Sequence, residues 1–305
     1  MTAAHAHPYA PVKPSASRFV DVRGLRYHVR TWGDPSARRL VLLHGWMDVS
    51  ASFQFLVDAL ANDWRVLAPD WRGFGLSATP QDGYWFLDYV ADLDALLRAL
   101  VPGEKVELAG HSLGANVALL YAGARPGNVA HVVALDGFGV PDQPADQAPQ
   151  KLTHWLDALA APDGFAPYRD MAAVADRLQK NNRRLSRERA EFIAGHWAER
   201  MDDGSARLRA DPKHKLPFPT TYRMADMYAV WRAIAAPVLW VAGEESHIPK
   251  WLAAGGDAAT EVARRFAHVP GAQLVTVRDA GHMLHHDQPE AVAQVLETFL
   301  MARVD

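Results

Sequence analysis

The sequence predicts an α/β fold: a mostly parallel central sheet flanked by helices, with a helical cap inserted late in the chain. Three observations predict it. Short, wholly apolar runs recur along the chain, and stretches with helical spacing lie between them. That alternation breaks off between Gly137 and Ala236 and then resumes.

The elements follow in order. Phe19, Val20 and Val22 precede Arg23-Gly24, and Leu25, Tyr27 and Val29 follow it, so a hairpin turning at Gly24 is expected. Leu40 to Leu43 is entirely apolar, as a strand buried on both faces requires. Similar runs stand at Arg65 to Pro69, Val106 to Ala109, Val132 to Leu135, Pro237 to Ala242 and Leu274 to Val277. Between them, Phe53, Leu56, Val57 and Leu60 share one helical face, and so do Val90, Leu93, Leu97 and Leu100. Leu113 to Ala124 and Ala291 to Leu300 are also helix-like. Strands alternating with helices give a parallel sheet with right-handed crossovers. The expected division is a disordered lead-in over 1–17, a core over 18–136 and 237–305, and a helical cap over 137–236 without strands.

Composition narrows the function class. The 305 residues are 49% hydrophobic and 22% charged, with a formal net charge of −3 and basic residues spread along the chain. Nothing in that balance favours a nucleic-acid or anionic-membrane partner. Cysteine is absent, which excludes disulfides, zinc-thiolate sites and a thiol nucleophile. No signal peptide and no run of roughly 20 apolar residues is visible, so a cytoplasmic location is expected. The oligomeric state is open.

The chemistry sits in a few short motifs. Gly110-His111-Ser112-Leu113-Gly114 follows the apolar run Val106 to Ala109 and opens a helix-like stretch. That strand–turn–helix setting exposes a serine at the edge of a sheet, above the positive end of a helix. Ser112 is therefore the candidate nucleophile, where a lone Gly-x-Ser-x-Gly would be weak. His282 in Asp279-Ala280-Gly281-His282 follows the last strand and is the candidate base. His285, His286 and Asp287 crowd the same loop; a metal cluster there is the alternative to ordinary packing and capping roles, packing is preferred, and no metal is expected. His44-Gly45-Trp46 follows Leu40 to Leu43, which makes the Trp46 and Leu113 N–H groups the candidate oxyanion donors and His44 a loop brace. Arg72-Gly73-Phe74-Gly75 lacks the spacing of a dinucleotide fingerprint and reads as a tight loop.

With these motifs in place the chain resembles the α/β-hydrolase superfamily from about Arg18 to Leu300. The resemblance rests on Leu43-His44-Gly45-Trp46, Asp70 to Ser77, Gly110 to Gly114 and Gly281-His282, in that order. Within it, His44 to Asp48 and Gly281 to Asp287 look most like the serine-hydrolase-like, capped serine esterase-type branch. The resemblance implies the α/β-hydrolase fold and a Ser–His–acid triad. In many relatives the acid ends a Gly-x-x-Asp run after the penultimate strand, but here that run is Gly243-Glu244-Glu245-Ser246. Asp136, ending the run Val132 to Leu135, is the first replacement; Glu244 or Glu245, or no acid at all, stay open.

The expected function is a serine hydrolase cleaving an ester-type acyl bond of a small, largely apolar substrate through an acyl-enzyme, with no cofactor. A serine nucleophile argues against haloalkane dehalogenase and epoxide hydrolase chemistry, which need an aspartate. A C–C or lactone hydrolase on the same serine is the alternative, and a non-catalytic ligand-binding protein of the same fold is the alternative from another class.

Overall fold

The computed structural model describes residues 8–302. Eight strands form one sheet: β1 (Ala16–Val22), β2 (Leu25–Trp32), β3 (Arg38–Leu43), β4 (Trp64–Pro69), β5 (Val106–His111), β6 (Val129–Leu135), β9 (Val238–Gly243) and β10 (Gln273–Val277). A separate two-stranded ribbon pairs β7 (Ala198–Arg200) with β8 (Ala206–Leu208). Helices α1 (Gln54–Ala59), α2 (Phe86–Leu100) and α3 (Leu113–Ala124) lie in the first half. The insertion carries α4 (Ala148–Ala160), α5 (Met171–Asn181), α6 (Arg187–Trp197) and α7 (Met224–Trp231). The chain closes with α8 (Ile248–Leu252), α9 (Ala258–Phe266), α10 (Leu284–Asp287) and α11 (Pro289–Met301).

Sheet order is β1-β2-β4-β3-β5-β6-β9-β10. β1 pairs antiparallel with β2, and β2 with β4; every later pairing is parallel. The β1–β2 hairpin turns at Arg23 and Gly24, both at positive φ, as a tight primed turn requires.

The apolar runs of β3, β5, β6 and β9 have no polar face because both faces are covered. Val41, Leu43, Leu108, Val132 and Trp240 point into one core with Leu93 and Leu97 of α2, Val117 of α3 and Trp231 of α7. Leu40, Leu42, Ala109, Val133 and Leu239 point into the other, with Leu56 and Val57 of α1 and Val292, Leu296 and Phe299 of α11. Successive residues alternate between the two cores, as the pleat dictates. Among the described residues no helix is long and apolar enough to cross a membrane.

Two expectations change. Residues 8–17 are not a loose lead-in: the Tyr9 hydroxyl donates to Asp58 at 2.6 Å, the Lys13 N–H donates to the same carboxylate at 2.7 Å, and β1 begins at Ala16. Residues 1–7 lie outside the described residues. The segment 137–236 is not strand-free, since β7 and β8 pair within it. Three-residue strands such as Ala198-Glu199-Arg200 give no usable period, and Glu199 and Arg207 on this ribbon form an ion pair. The ribbon, α5 and α6 share a small core of their own with Val49, Ala51 and Phe55, which seats this segment on the loop after β3.

A buried ionic knot fixes α2 against the sheet. Asp92 is fully buried and accepts from Arg72 Nε at 2.5 Å, Arg72 Nη2 at 2.7 Å, Arg23 Nη1 at 2.6 Å and the Tyr27 hydroxyl. Removing one side of a buried pair strands the other charge. Asp92→Ala is expected to cost about 3–5 kcal/mol in urea unfolding, and a loss below about 1 kcal/mol would contradict this role.

Candidate active site

The turn between β5 and α3 is strained. Ser112 has φ 52° and ψ −112°, outside the wells open to residues with a side chain. The turn is held by the Ser112 N–H donating to the Leu135 carbonyl at 3.0 Å and by Asn116 N–H donating to the Ser112 carbonyl at 3.1 Å. Its bracketing glycines serve different contacts. A Cβ on Gly110 would lie 2.3 Å from the Gly114 backbone, whereas one on Gly114 would lie 2.1 Å from the Leu43 carbonyl oxygen of β3. Gly110 thus lets the turn close, and Gly114 lets α3 pack against the neighbouring strand.

Asp136 follows β6, the strand beside β5, also at positive φ. Its N–H donates to Val241 of β9 at 2.8 Å, and its carboxylate is buried. His282 Nδ1–H donates to Asp136 Oδ2 at 2.7 Å. The Ser246 hydroxyl donates to the same oxygen at 2.5 Å. Ser246 occupies the place where the sequence pattern leads one to look for a carboxylate, and it binds the carboxylate that follows the neighbouring strand. Glu245 turns outward to Arg184, and Glu244 accepts a 3.3 Å bond from the Asp279 N–H at the surface. Neither glutamate is hydrogen-bonded to His282. Ser246 is a residue that sequence reasoning missed as a partner, although the departure from Gly-x-x-Asp marked its position.

The other motif residues hold loops. His44 Nδ1–H donates to the Gly45 carbonyl at 2.8 Å, its Nε2 accepts from the Trp71 N–H at 2.9 Å, and the Trp71 indole donates to the His44 carbonyl at 2.9 Å. His44 is therefore a brace between the β3 and β4 loops. Asp70 adds a second tie, accepting from the Ser50 N–H at 2.7 Å and the Leu76 N–H at 2.9 Å. Burial opposes its charge, but His28 at 2.7 Å and these bonds outweigh it and hold the carboxyl well below the usual range. A Cβ on Gly45 would come 3.3 Å from Ser112 Cβ, so the loop carrying Trp46 lies against the serine. Leu113 opens α3, and its N–H has no partner within the helix. Asp287 accepts from the Gly281 N–H at 2.8 Å and from Asn182 at 2.7 Å, a packing and capping part in the His282 loop.

Ser112, Leu113, Asp136 and Trp46 line one cavity of about 760 Å³. The insertion supplies Val140, Phe218, Tyr222 and Met227 to its walls. Of the insertion's other large aromatics, Trp231 is in the sheet core and Trp197 donates its indole N–H to the Met47 carbonyl at 2.7 Å. The core side contributes Trp85, Leu87 and Trp251, which the sequence did not single out. These three, with Trp46 and Phe218, are exposed large apolar side chains gathered around a single opening. Exposed apolar patches of this kind are characteristic of interaction surfaces.

A family model described as the alpha/beta hydrolase fold matches residues 38–289. A serine hydrolase-like protein of Danio rerio is 29% identical over 285 residues, covering 89% of this chain and 84% of its own. The 2-(acetamidomethylene)succinate hydrolase of Mesorhizobium japonicum is 30% identical over 290 residues, covering 94% of this chain and 95% of its own. Among solved structures, a hypothetical protein from Pseudomonas aeruginosa PAO1 superposes with a TM-score of 0.81 at 28% identity, covering 93% of this chain and 98% of that one.

Burial also sets the protonation of the histidines around these loops. It lowers His44 and His196 to about 4 and His214 and His286 to about 3. Burial works in the opposite sense on Asp48, raising it to about 6. Each histidine is protonated in the unfolded chain below about 6.5 but stays neutral in the fold, so acid favours unfolding as pH falls from there toward 4. Asp48 opposes this trend. Melting temperature is expected to climb between pH 4 and 6.5 and level off above, as scanning calorimetry would record; a flat or falling profile would contradict it.

Proposed function

The chain belongs to the α/β-hydrolase fold family, and on that footing we propose that it is a serine hydrolase acting on an ester-type acyl bond through an acyl-enzyme on Ser112. The observation that carries this reading is the 2.7 Å bond from His282 Nδ1–H to Asp136. It fixes the proton on Nδ1 and leaves Nε2 with the lone pair that a general base needs.

In the proposed cycle Ser112 Oγ attacks the acyl carbon as His282 Nε2 takes the hydroxyl proton. The oxyanion is held by the Trp46 and Leu113 N–H groups, the latter at the positive end of α3. His282 then gives its proton to the departing alkoxide, and the alcohol leaves. Water attacks the acyl-enzyme with His282 again accepting a proton, and the acid is released as Ser112 Oγ recovers its hydrogen. Asp136 stabilises the imidazolium at both stages, and the Ser246 hydroxyl keeps the carboxylate turned toward His282.

The walls favour an apolar substrate. The cations among them are Lys151 and Arg223, and Arg223 is paired with Asp226 at 3.0 Å. That is a poor clamp for a dicarboxylate, which sets this cavity apart from what the name of the Mesorhizobium relative implies for its own substrate. An acyl or aromatic group against Trp46, Trp85, Phe218 and Trp251 suits the surface better.

Stoichiometric labelling by a fluorophosphonate, abolished by Ser112→Ala in folded protein, tests the nucleophile. No labelling, together with no turnover of p-nitrophenyl esters, would overturn the reading. On a hydrolysed ester, Asp136→Asn should lower kcat by roughly 10⁴-fold through loss of the held tautomer. Ser246→Ala should cost about tenfold, the worth of one charge-assisted hydrogen bond. Glu244→Gln and Glu245→Gln should leave kcat near wild type; a large loss there would contradict the assignment of the acid.

A further inference from the structure

We propose that Asp48, His111 and His285 form a binding site for one divalent transition-metal ion of the zinc class, on the inner side of the Ser112 turn. The proposal goes beyond the hydrolase reading and does not rest on it. Each of the three residues offers a ligand atom, and these atoms lie within 4.8 Å of one another, the one such group among the described residues. All three are buried, with His285 fully so. They come from the loop after β3, the end of β5 and the short helix α10 that follows β10.

The second observation is unmet bonding capacity. His111 Nε2–H donates to the His282 carbonyl at 2.8 Å, which leaves Nδ1 as the nitrogen with the lone pair. That Nδ1 is buried with no hydrogen-bond partner, and so are both ring nitrogens of His285. Buried polar atoms are nearly always satisfied, and one ion between the two rings would engage a nitrogen of each. The two rings lie 4.6 Å apart, centroid to centroid.

The donor set selects the ion. Two imidazoles and one carboxylate suit zinc, cobalt, nickel or copper, whereas calcium and magnesium prefer oxygen throughout. Two of the three ligands already have supporting bonds. Asp48 accepts from the Val49 N–H at 2.9 Å and the Ser52 hydroxyl at 2.7 Å, and His111 is oriented by the His282 carbonyl. Sequence reading favoured no metal because it weighed only His285, His286 and Asp287, and Asp287 is engaged elsewhere. An ion at Asp48, His111 and His285 would clamp together the three loops that carry Trp46, Ser112 and His282.

The test uses the full chain, stripped with EDTA and then titrated with Co²⁺ or Zn²⁺ under equilibrium dialysis. One ion per chain is expected, with a cobalt visible spectrum of low coordination number. Zinc at a hundred times its Kd should raise the melting temperature by about 4 °C or more. His285→Gln and Asp48→Asn, each confirmed as folded by circular dichroism, should weaken binding at least tenfold, and His154→Ala, at an exposed histidine, should not. Binding far below one ion per chain in the wild type, or unchanged binding in both variants, overturns the proposal. Should neither variant fold, cobalt X-ray absorption on the wild type decides: two imidazole ligands support the site, and fewer overturn it.

Discussion

Parallel pairing of β3, β5, β6, β9 and β10 is the constraint from which the site follows. Parallel neighbours finish at the same edge of a sheet, so the loops after these strands meet there whatever their separation along the chain. Trp46, Ser112, Asp136, Ser246 and His282 each lie just beyond a different one of these strands. Two apolar cores, one on each face, keep the strands from shifting register. The strain at Ser112 is tolerable only on such a frame, where Gly114 allows α3 to press on the Leu43 carbonyl and the Ser112 N–H is tied to β6.

The same geometry brings Asp136 and Ser246 together. Asp136 and Ser246 follow adjacent strands, β6 and β9, and both reach the same point beside His282. Asp136 meets the imidazole, and the position after β9 supplies a group that donates to its carboxylate. Here that group is a hydroxyl. With this carboxylate following β6, the loop after β9 carries Glu244 and Glu245 at the surface.

What was legible in the sequence, and what was not, divides along this line. The strands could be read because burial on both faces leaves runs such as Leu40 to Leu43 with no polar residue. The Ser112 turn could be read because its glycines answer to close contacts within a few residues. The ribbon of β7 and β8 could not, since three residues carry no period. Motif order placed His282 near Ser112 but could not choose between Asp136 and Glu245, because that choice depends on side-chain direction at a sheet edge. The meeting of Asp48, His111 and His285 was invisible for the same reason: it joins a loop, a strand end and a short helix that only the fold brings together. Cavity-lining Trp85 and Trp251 lie outside the insertion, where apolar residues read as ordinary packing.

The central claim is that Asp136, and no glutamate, holds the imidazole of His282. Low-field proton NMR observes that bond directly, because a hydrogen-bonded Nδ1–H resonates far from other protons and is absent from a His282→Gln variant. The resonance should be present in the wild type, vanish in folded Asp136→Asn, and persist in Glu244→Gln and Glu245→Gln. Its survival in Asp136→Asn, or its loss in either glutamate variant, would contradict the account.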